Sequence, residues 1–232
     1  MTSEQSLVAK IEAALALLEN AWRRHGCSLG VAFSGGKDSL VALHMVRTMH
    51  GGDIPLPVLS IDTGVKFPEV TAFRDRIARE WNVTLTIVRD ETWAEMAASG
   101  SMPSTNSLEC CRVLKVAPLR KAIADYGISG LITGIRRDEH ETRAGETPVS
   151  TRDHPPHERI HPLLDFSEAN VWEYIRTFDL PYAPPYDRGY RSLSCMPCTA
   201  APGDDAPAAT ERGHRAPDKE SVMAQLRAMG YF

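Results

Sequence analysis

Leu29-Gly30-Val31-Ala32-Phe33-Ser34-Gly35-Gly36-Lys37-Asp38-Ser39-Leu40 opens as an apolar run, breaks at a serine and two glycines, and resumes as an apolar-periodic stretch through Leu40, Leu43 and Val46. That order predicts a strand, a tight loop and a helix. A glycine-rich turn at a strand end leaves backbone N–H groups free and aims them, with the positive end of the following helix, at an anion. Gly35 and Gly36 let the backbone approach, Ser34 and Ser39 supply hydroxyls, and Lys37 adds a point charge suited to phosphate. Asp38 either caps the helix or helps to hold Mg²⁺. The span is shorter than a Walker loop. The bland alternative is a solvent-exposed, capped turn.

Working outward, Leu7, Val8, Ile11, Leu15, Leu18 and Trp22 fall at helical spacing over residues 5–24, with a start near Ser3. After the loop the pattern alternates: a strand over Ile54–Ile61, a helix over Pro68–Trp81, a strand over Val83–Val88, a helix over Val113–Tyr126 and a strand over Ile128–Ile132. Parallel strands need crossovers, so the expected fold is α/β, a doubly wound, mostly parallel sheet with helices on both faces. Ligands of such sheets sit at the carboxyl ends of the strands, where Ser34–Ser39, Asp62–Glu69 and Gly134–Arg143 all fall. Residues 137–157 are polar and read as a long mobile loop, a candidate lid. A helix over Ser167–Phe178 follows, capped by Asp165 or Ser167. Residues 1–198 are expected to form the nucleotide-binding domain. Residues 199–232, rich in Ala, Pro, Gly and charge, are expected to be a flexible C-terminal tail ending in a short helix over Lys219–Met229.

With 26 basic and 30 acidic residues the chain is mildly acidic, which argues against a broad duplex-binding surface. No apolar run reaches the roughly 20 residues of a membrane span, and the N-terminus lacks the order of a secretory signal, so a cytoplasmic protein is expected. The five cysteines are Cys27 alone, the adjacent pair Cys110 and Cys111, and Cys195 and Cys198 in C-x-x-C spacing. In a reducing compartment such pairs suggest a metal or redox site before a disulfide. Four thiolates can hold zinc or a [4Fe–4S] cluster. Cys27, at the start of a strand, reads as a small core residue.

The Ser34–Ser39 loop resembles the pyrophosphate loop of the adenine nucleotide α-hydrolase group. That group includes the phosphoadenylylsulfate reductases, the small subunit of bacterial ATP sulfurylase, and thiolating enzymes that activate with ATP. SIDTGVKFPE (60–69), TGIRRDEHETRA (133–144) and HPLLDFSEANVWEYI (161–175) resemble further elements of the sulfurylase and reductase branches. The resemblance covers roughly residues 28–198. It implies ATP and Mg²⁺ as ligands, gripped by Ser34, Gly35, Gly36, Lys37, Asp38, Ser39, Asp62, Gly64 and Gly134. Lys37, Asp38, Arg136 and Arg143 become the candidate catalytic set. Asp62 can bind a ribose hydroxyl or magnesium, or simply form an Asx turn ahead of Gly64. ECCRVLKVAPL and YDRGYRSLSCMPCT are similar to the cysteine segments of cluster-containing adenylylsulfate reductases. This implies a [4Fe–4S] cluster on Cys110, Cys111, Cys195 and Cys198, with zinc as runner-up.

Two features depart from the reductase pattern. The reductases use a nucleophilic cysteine in a C-terminal tail, whereas SVMAQLRAMGYF contains none, and that branch tends to have a degenerate phosphate loop whereas this one is intact. The ending ERGHRAPDKESVMAQLRAMGYF instead resembles the sulfurylase small subunit. The leading expectation is therefore an enzyme that splits ATP between its α and β phosphates, transfers AMP to an acceptor and releases pyrophosphate, in sulfur metabolism. The acceptor is sulfate, a small molecule or a nucleic acid. Reduction of adenylylsulfate by an external thiol or by Cys27 is the second reading, and a nucleotide- and redox-sensing module the third. The relatives imply a heteromeric partner, a GTPase sulfurylase subunit or a cysteine desulfurase, and a homo-oligomer is also compatible; no membrane partner is expected.

Overall fold

The computed structural model describes residues 6–202, 211–212 and 222–231. Its centre is a six-stranded sheet of β1 (Leu29–Ala32), β2 (Val58–Ile61), β3 (Leu85–Val88), β4 (Gly130–Ile132), β5 (Val149–Asp153) and β6 (Pro156–Ile160), in the order β3-β2-β1-β4-β6-β5. All neighbouring pairs are parallel except β5 and β6, which pair antiparallel from Val149 opposite Ile160 to Asp153 opposite Pro156.

Alternation along the strands sends their side chains to two cores. Val31, Val58, Ile132 and Ile160 face a large cluster shared with α1 (Leu7–His25), α2 (Lys37–Met49), α3 (Pro68–Glu80) and α7 (Glu168–Thr177). Leu59, Val88 and Leu131 face the opposite side and meet Leu119, Ala122 and Ile123 of α6 (Ala117–Asp125). Helices on both faces, the expected architecture, follow from these two clusters. Serine caps fix the flanking helices: Ser6 accepts from the Ala9 N–H of α1 at 3.3 Å, and Ser167 forms a reciprocal capping box with Asn170 at the start of α7. The N-cap of α1 is thus Ser6, while Ser3 lies outside the described residues. Val8, counted with the apolar face, is 65% exposed.

Several elements differ from expectation. β2 begins at Val58 because Pro55 and Pro57 have no N–H for the ladder, although the Pro57 carbonyl still accepts from Val31 at 3.0 Å. A short helix α4 (Trp93–Ser99) follows β3, and the helix expected over 113–126 is a longer helical segment. It starts as α5 (Leu108–Cys111), widens into a π-turn over Arg112–Val116, and continues as α6. Residues 137–157 are not one long lid: they hold a 3₁₀ turn at Glu141–Arg143 and most of the β5–β6 hairpin, which extends the sheet. The hairpin is polar, as sheet edges tend to be, so apolar periodicity gave no signal for it. Cys27 is exposed, in a 3₁₀ turn ahead of β1, and is not a core residue.

The terminal helix is α8 (Met223–Ala228), shorter than the expected 219–229. It packs on the body, with Met223 and Leu226 buried against Cys111, Ile135 and Leu164. The tail expectation for 203–210 and 213–221 lies outside the described residues. No helix among the described residues is long and apolar enough to cross a membrane.

Candidate functional site

From β1 the chain steps outward to β2 and β3, then returns to lay β4 on the other side of β1. Such a reversal opens a crevice beyond the carboxyl ends of the two central strands. The glycine-rich loop follows β1 and residues 133–136 follow β4, so both meet at that crevice. Gly134 is needed for their approach: a Cβ there would lie 2.7 Å from the Asp38 carbonyl carbon and 2.8 Å from the Ser39 nitrogen. A cavity of about 270 Å³ opens there, walled by Ser34, Gly36 and Ser39 on one side and by Lys66, Lys115 and Cys195 on another.

The loop is closed by its own hydroxyls. The Ser34 N–H donates to Ser39 Oγ at 3.2 Å, the Gly36 N–H to Ser34 Oγ at 3.2 Å, and Ser39 Oγ to the Gly36 carbonyl at 2.9 Å. Gly35 sits at φ +85°, where an added Cβ would also lie 2.9 Å from the Val70 carbonyl oxygen. The Lys37 N–H donates to the Tyr186 hydroxyl at 3.0 Å.

Behind the loop lies a buried charge cluster. Asp38 bridges its neighbours, with Lys37 Nζ at 3.1 Å on one oxygen and Arg136 Nε at 2.6 Å on the other. It does not cap α2, whose N-cap is Gly36. Asp138 adds a 3.0 Å contact to Arg136, and Glu211 pairs with both Lys37 and Arg136. Burial opposes the Lys37 charge, yet Asp38, Tyr186 and Glu211 outweigh it and hold the ammonium above its ordinary value. Arg136 is likewise raised against its burial, chiefly by Asp38. Burial pushes the Glu211 carboxyl up against the pull of Lys37. Arg143 stands apart, paired with Glu139, which Arg212 also contacts at 3.1 Å. Arg137 braces the fold through Asp165 and the Glu146 carbonyl.

Asp62 accepts the Gly64 N–H at 2.8 Å in an Asx turn and pairs with Arg89 at 2.5 Å. Burial raises its carboxyl, but the Gly64 amide and Arg89 outweigh that and hold it below the usual carboxylate range. Gly64 lies under Trp93, whose indole N–H donates to the Thr63 carbonyl at 3.1 Å. The structure thus engages Asp62 in a local turn and places Lys66, which the sequence reading had not singled out, on the cavity wall.

The cysteines are all buried apart from Cys27. Cys110 and Cys111 end α5, while Cys195 caps and Cys198 ends a 3₁₀ turn tied to the 63–66 segment by a backbone bridge between Lys66 and Cys195. Thr63 Oγ1 is 3.2 Å from Cys195 Sγ. Lys115, in the π-turn, donates to Ser194 Oγ at 3.2 Å and stands among Cys195, Cys111 and Cys198; burial opposes its charge but Cys195 first, then Tyr231 and those thiols, keep it raised. The Cys195 thiol is held down to about 4 by Cys198, against burial, with further help from Lys115 and Thr63. Among the described residues no three Cys, His, Asp or Glu side chains already close around one point as a single-ion cage. The donor chemistry, with the buried sulfurs of Cys111, Cys195 and Cys198 around a lysine that favours thiolates and Cys110 buried beside Cys111, fits a thiolate-ligated group.

Sequence reasoning missed Tyr186, Lys66, Lys115 and Glu211. The first three lie in stretches whose motifs were noticed for other residues. Glu211 sits among Ala, Pro and charge, a composition that signals a linker.

Residues 28–201 match the family model of the phosphoadenosine phosphosulfate reductase domain. An adenosine 5'-phosphosulfate reductase of Burkholderia cepacia is 31% identical over 209 residues, 86% of this chain and 81% of the relative. A sulfate adenylyltransferase subunit 2 of Azospirillum brasilense is 35% identical over 179 residues, 66% of this chain and 58% of that protein. Among solved structures, a phosphoadenylyl-sulfate reductase of Candida auris in a phosphate complex superposes with a TM-score of 0.67 at 21% identity, covering 84% of this chain and 97% of the other. An FMN adenylyltransferase of Candida glabrata with ATP gives 0.68 at 17% identity, covering 90% and 70%. At these identities the two structures speak for the fold.

Proposed function

Because the chain belongs to the phosphoadenosine phosphosulfate reductase domain family of sulfur-metabolism enzymes, we propose that it is an adenylyl-transferring ATP pyrophosphatase. The observation that carries this reading is the intact Ser34–Ser39 loop, set at the amino end of α2 in the crevice between β1 and β4. An acceptor oxygen attacks the α-phosphorus of ATP, the bond from that phosphorus to the bridging oxygen breaks, and the electron pair leaves on pyrophosphate. Loop amides, the α2 dipole and Lys37 stabilise the departing charge, and Arg136 and Arg143 steady the α-phosphate; Asp38 would be the residue to hold Mg²⁺, which would offset the phosphate charge when bound. Cys110, Cys111, Cys195 and Cys198 are the residues to hold a [4Fe–4S] cluster, with zinc the alternative; a bound cluster would supply electron or sulfur transfer. The sulfate adenylyltransferase subunit 2 relatives are by name parts of an assembly, which supports a heteromeric partner.

Reduction of adenylylsulfate remains a second reading, favoured by Cys195 lining the same cavity as the phosphate loop. Its thiol has to be external. Cys27 precedes the amino end of β1, the opposite end of that strand from the crevice.

Protein purified without oxygen separates the two. Pyrophosphate release from ATP that vanishes in Lys37→Ala is the expected result, and its dependence on sulfate would identify the acceptor. Sulfite release from adenylylsulfate plus thiol, with no pyrophosphate from ATP, would overturn the adenylyl-transfer reading in favour of reduction.

A further inference from the structure

Two groups expected to grip the nucleotide are sealed from solvent: Arg136 is 0% exposed and Lys37 1%. Asp38 bridges the two from α2, and a second carboxylate closes over both. Glu211 meets Lys37 Nζ with one oxygen and Arg136 Nη2 with the other. That is the arrangement in which a phosphate or sulfate oxygen pair would bridge the same two cations. The neighbouring Arg212 pairs with Glu139, the carboxylate that also holds Arg143. A two-residue stretch distant in sequence therefore touches Lys37, Arg136 and Arg143, directly or through one partner.

The backbone is in the same condition. The amides of Ser34, Gly36 and Lys37 are taken by Ser39, Ser34 and Tyr186. In front of them the cavity measures about 270 Å³, just below the roughly 300–1,000 Å³ of small-molecule sites. Four carboxylates, Asp38, Asp138, Glu139 and Glu211, act on the Arg136 charge. Asp38 opens α2 and the 138–139 pair follows β4, so these three are built into the sheet's own connections. Glu211 is not, and it can leave without breaking a strand or helix of the core.

We propose that Glu211 is an internal competitor for the anion subsite: its carboxylate occupies the place of a phosphate or sulfate group between Lys37 and Arg136, and the nucleotide enters by displacing the Glu211–Arg212 pair. This rests on the reading of Lys37 and Arg136 as nucleotide-binding groups. The cost is an apparent affinity reduced by the fraction of molecules in which the pair is displaced. The benefit is that the two buried cations, which share Asp38, keep a second anion between them when no nucleotide is bound, since uncompensated buried charge is strongly unfavourable.

Inorganic pyrophosphate is the probe, titrated calorimetrically into the full chain as wild type, Glu211→Gln and Lys37→Ala. Glu211→Gln is expected to bind about ten-fold more tightly than wild type, the size of effect expected for a competing charge removed. Lys37→Ala is expected to lose binding. In the wild type, pyrophosphate should also speed tryptic cleavage after Arg212, a readout that needs no variant and so survives misfolding of Glu211→Gln. Equal or weaker binding by Glu211→Gln, with Lys37→Ala still defective, overturns the competitor and leaves the subsite intact, as does pyrophosphate protection of the bond after Arg212. Binding indifferent to Lys37→Ala, or absent from all three proteins, overturns both.

Discussion

The two sides of the cavity carry the same kind of residue in opposite electrostatic condition. On the side of the glycine-rich loop Lys37 contacts Asp38 and Glu211 and is held charged above its ordinary value. On the cysteine side Lys66 has the Ser34 carbonyl at 3.4 Å as its hydrogen-bond acceptor, and burial, then Lys115 and Arg74, push its ammonium down to about 8. One lysine is compensated before any ligand arrives, whereas the other sits beside further positive charge. A site of the first kind has to exchange one anion for another. A site of the second kind gains an anion outright.

The largest expected effect tests the first half of that contrast. Lys37→Met should reduce pyrophosphate release about 10²–10³-fold, the usual cost of a lost charge-stabilising donor. It should also destabilise the fold by about 3–5 kcal/mol in denaturant titrations, because Asp38 and Glu211 lose a buried partner. Lys66→Met should leave the melting temperature unchanged or raise it, since it removes a disfavoured charge. Equal destabilisation by the two variants would break the comparison.

A smaller effect concerns the contact that brings the β4 loop onto α2. Gly134→Ala puts a methyl against the Asp38 backbone and should cost about 1–3 kcal/mol, with loss of pyrophosphate binding exceeding any change at the cysteine side. A melt and a titration on the same variant check both parts.

A pH-dependent effect, smallest near neutrality, belongs to the sheet floor beneath both sides. Burial pushes His161 down to about 3 and His157 down to about 4, from 6.5. Both are neutral in the folded chain, and the unfolded chain takes up protons first as pH falls. Their contribution is full above about 6.5 and is lost as pH drops toward 4, by at most about 1.4 kcal/mol per pH unit for each histidine. Unfolding free energies at pH 7, 6 and 5 should show the decline, and His161→Gln should flatten it.

The central strands, the glycine-rich turn after β1 and the Ser167 cap were legible because each depends on neighbours within a few residues. Val31, Leu59 and Leu131 alternate as strands must, and Gly35 and Gly36 mark their turn. β5 and β6 were not legible. Arg159 is buried there and donates hydrogen bonds to His157 and to the carbonyls of Gly230 and Tyr231, the latter two more than seventy residues on. Asp62 looked equally like a ligand and a turn residue, and Arg89, which occupies its second oxygen, comes from a different strand end. Glu211 carried no signal at all, since nothing local shows that a carboxylate in an Ala- and Pro-rich stretch lies between Lys37 and Arg136.

The π-turn over Arg112–Val116 has a consequence for winding. It holds one residue more than an α-helix would use to cover the same rise. Removing a single residue from it would make 108–125 a regular helix, a change favourable to the backbone taken alone. It would also rotate Cys110 and Cys111 by about 100° relative to α6. The screw of that helix is therefore a clock hand for the cysteine pair, and the irregular turn is what sets its hour relative to α6.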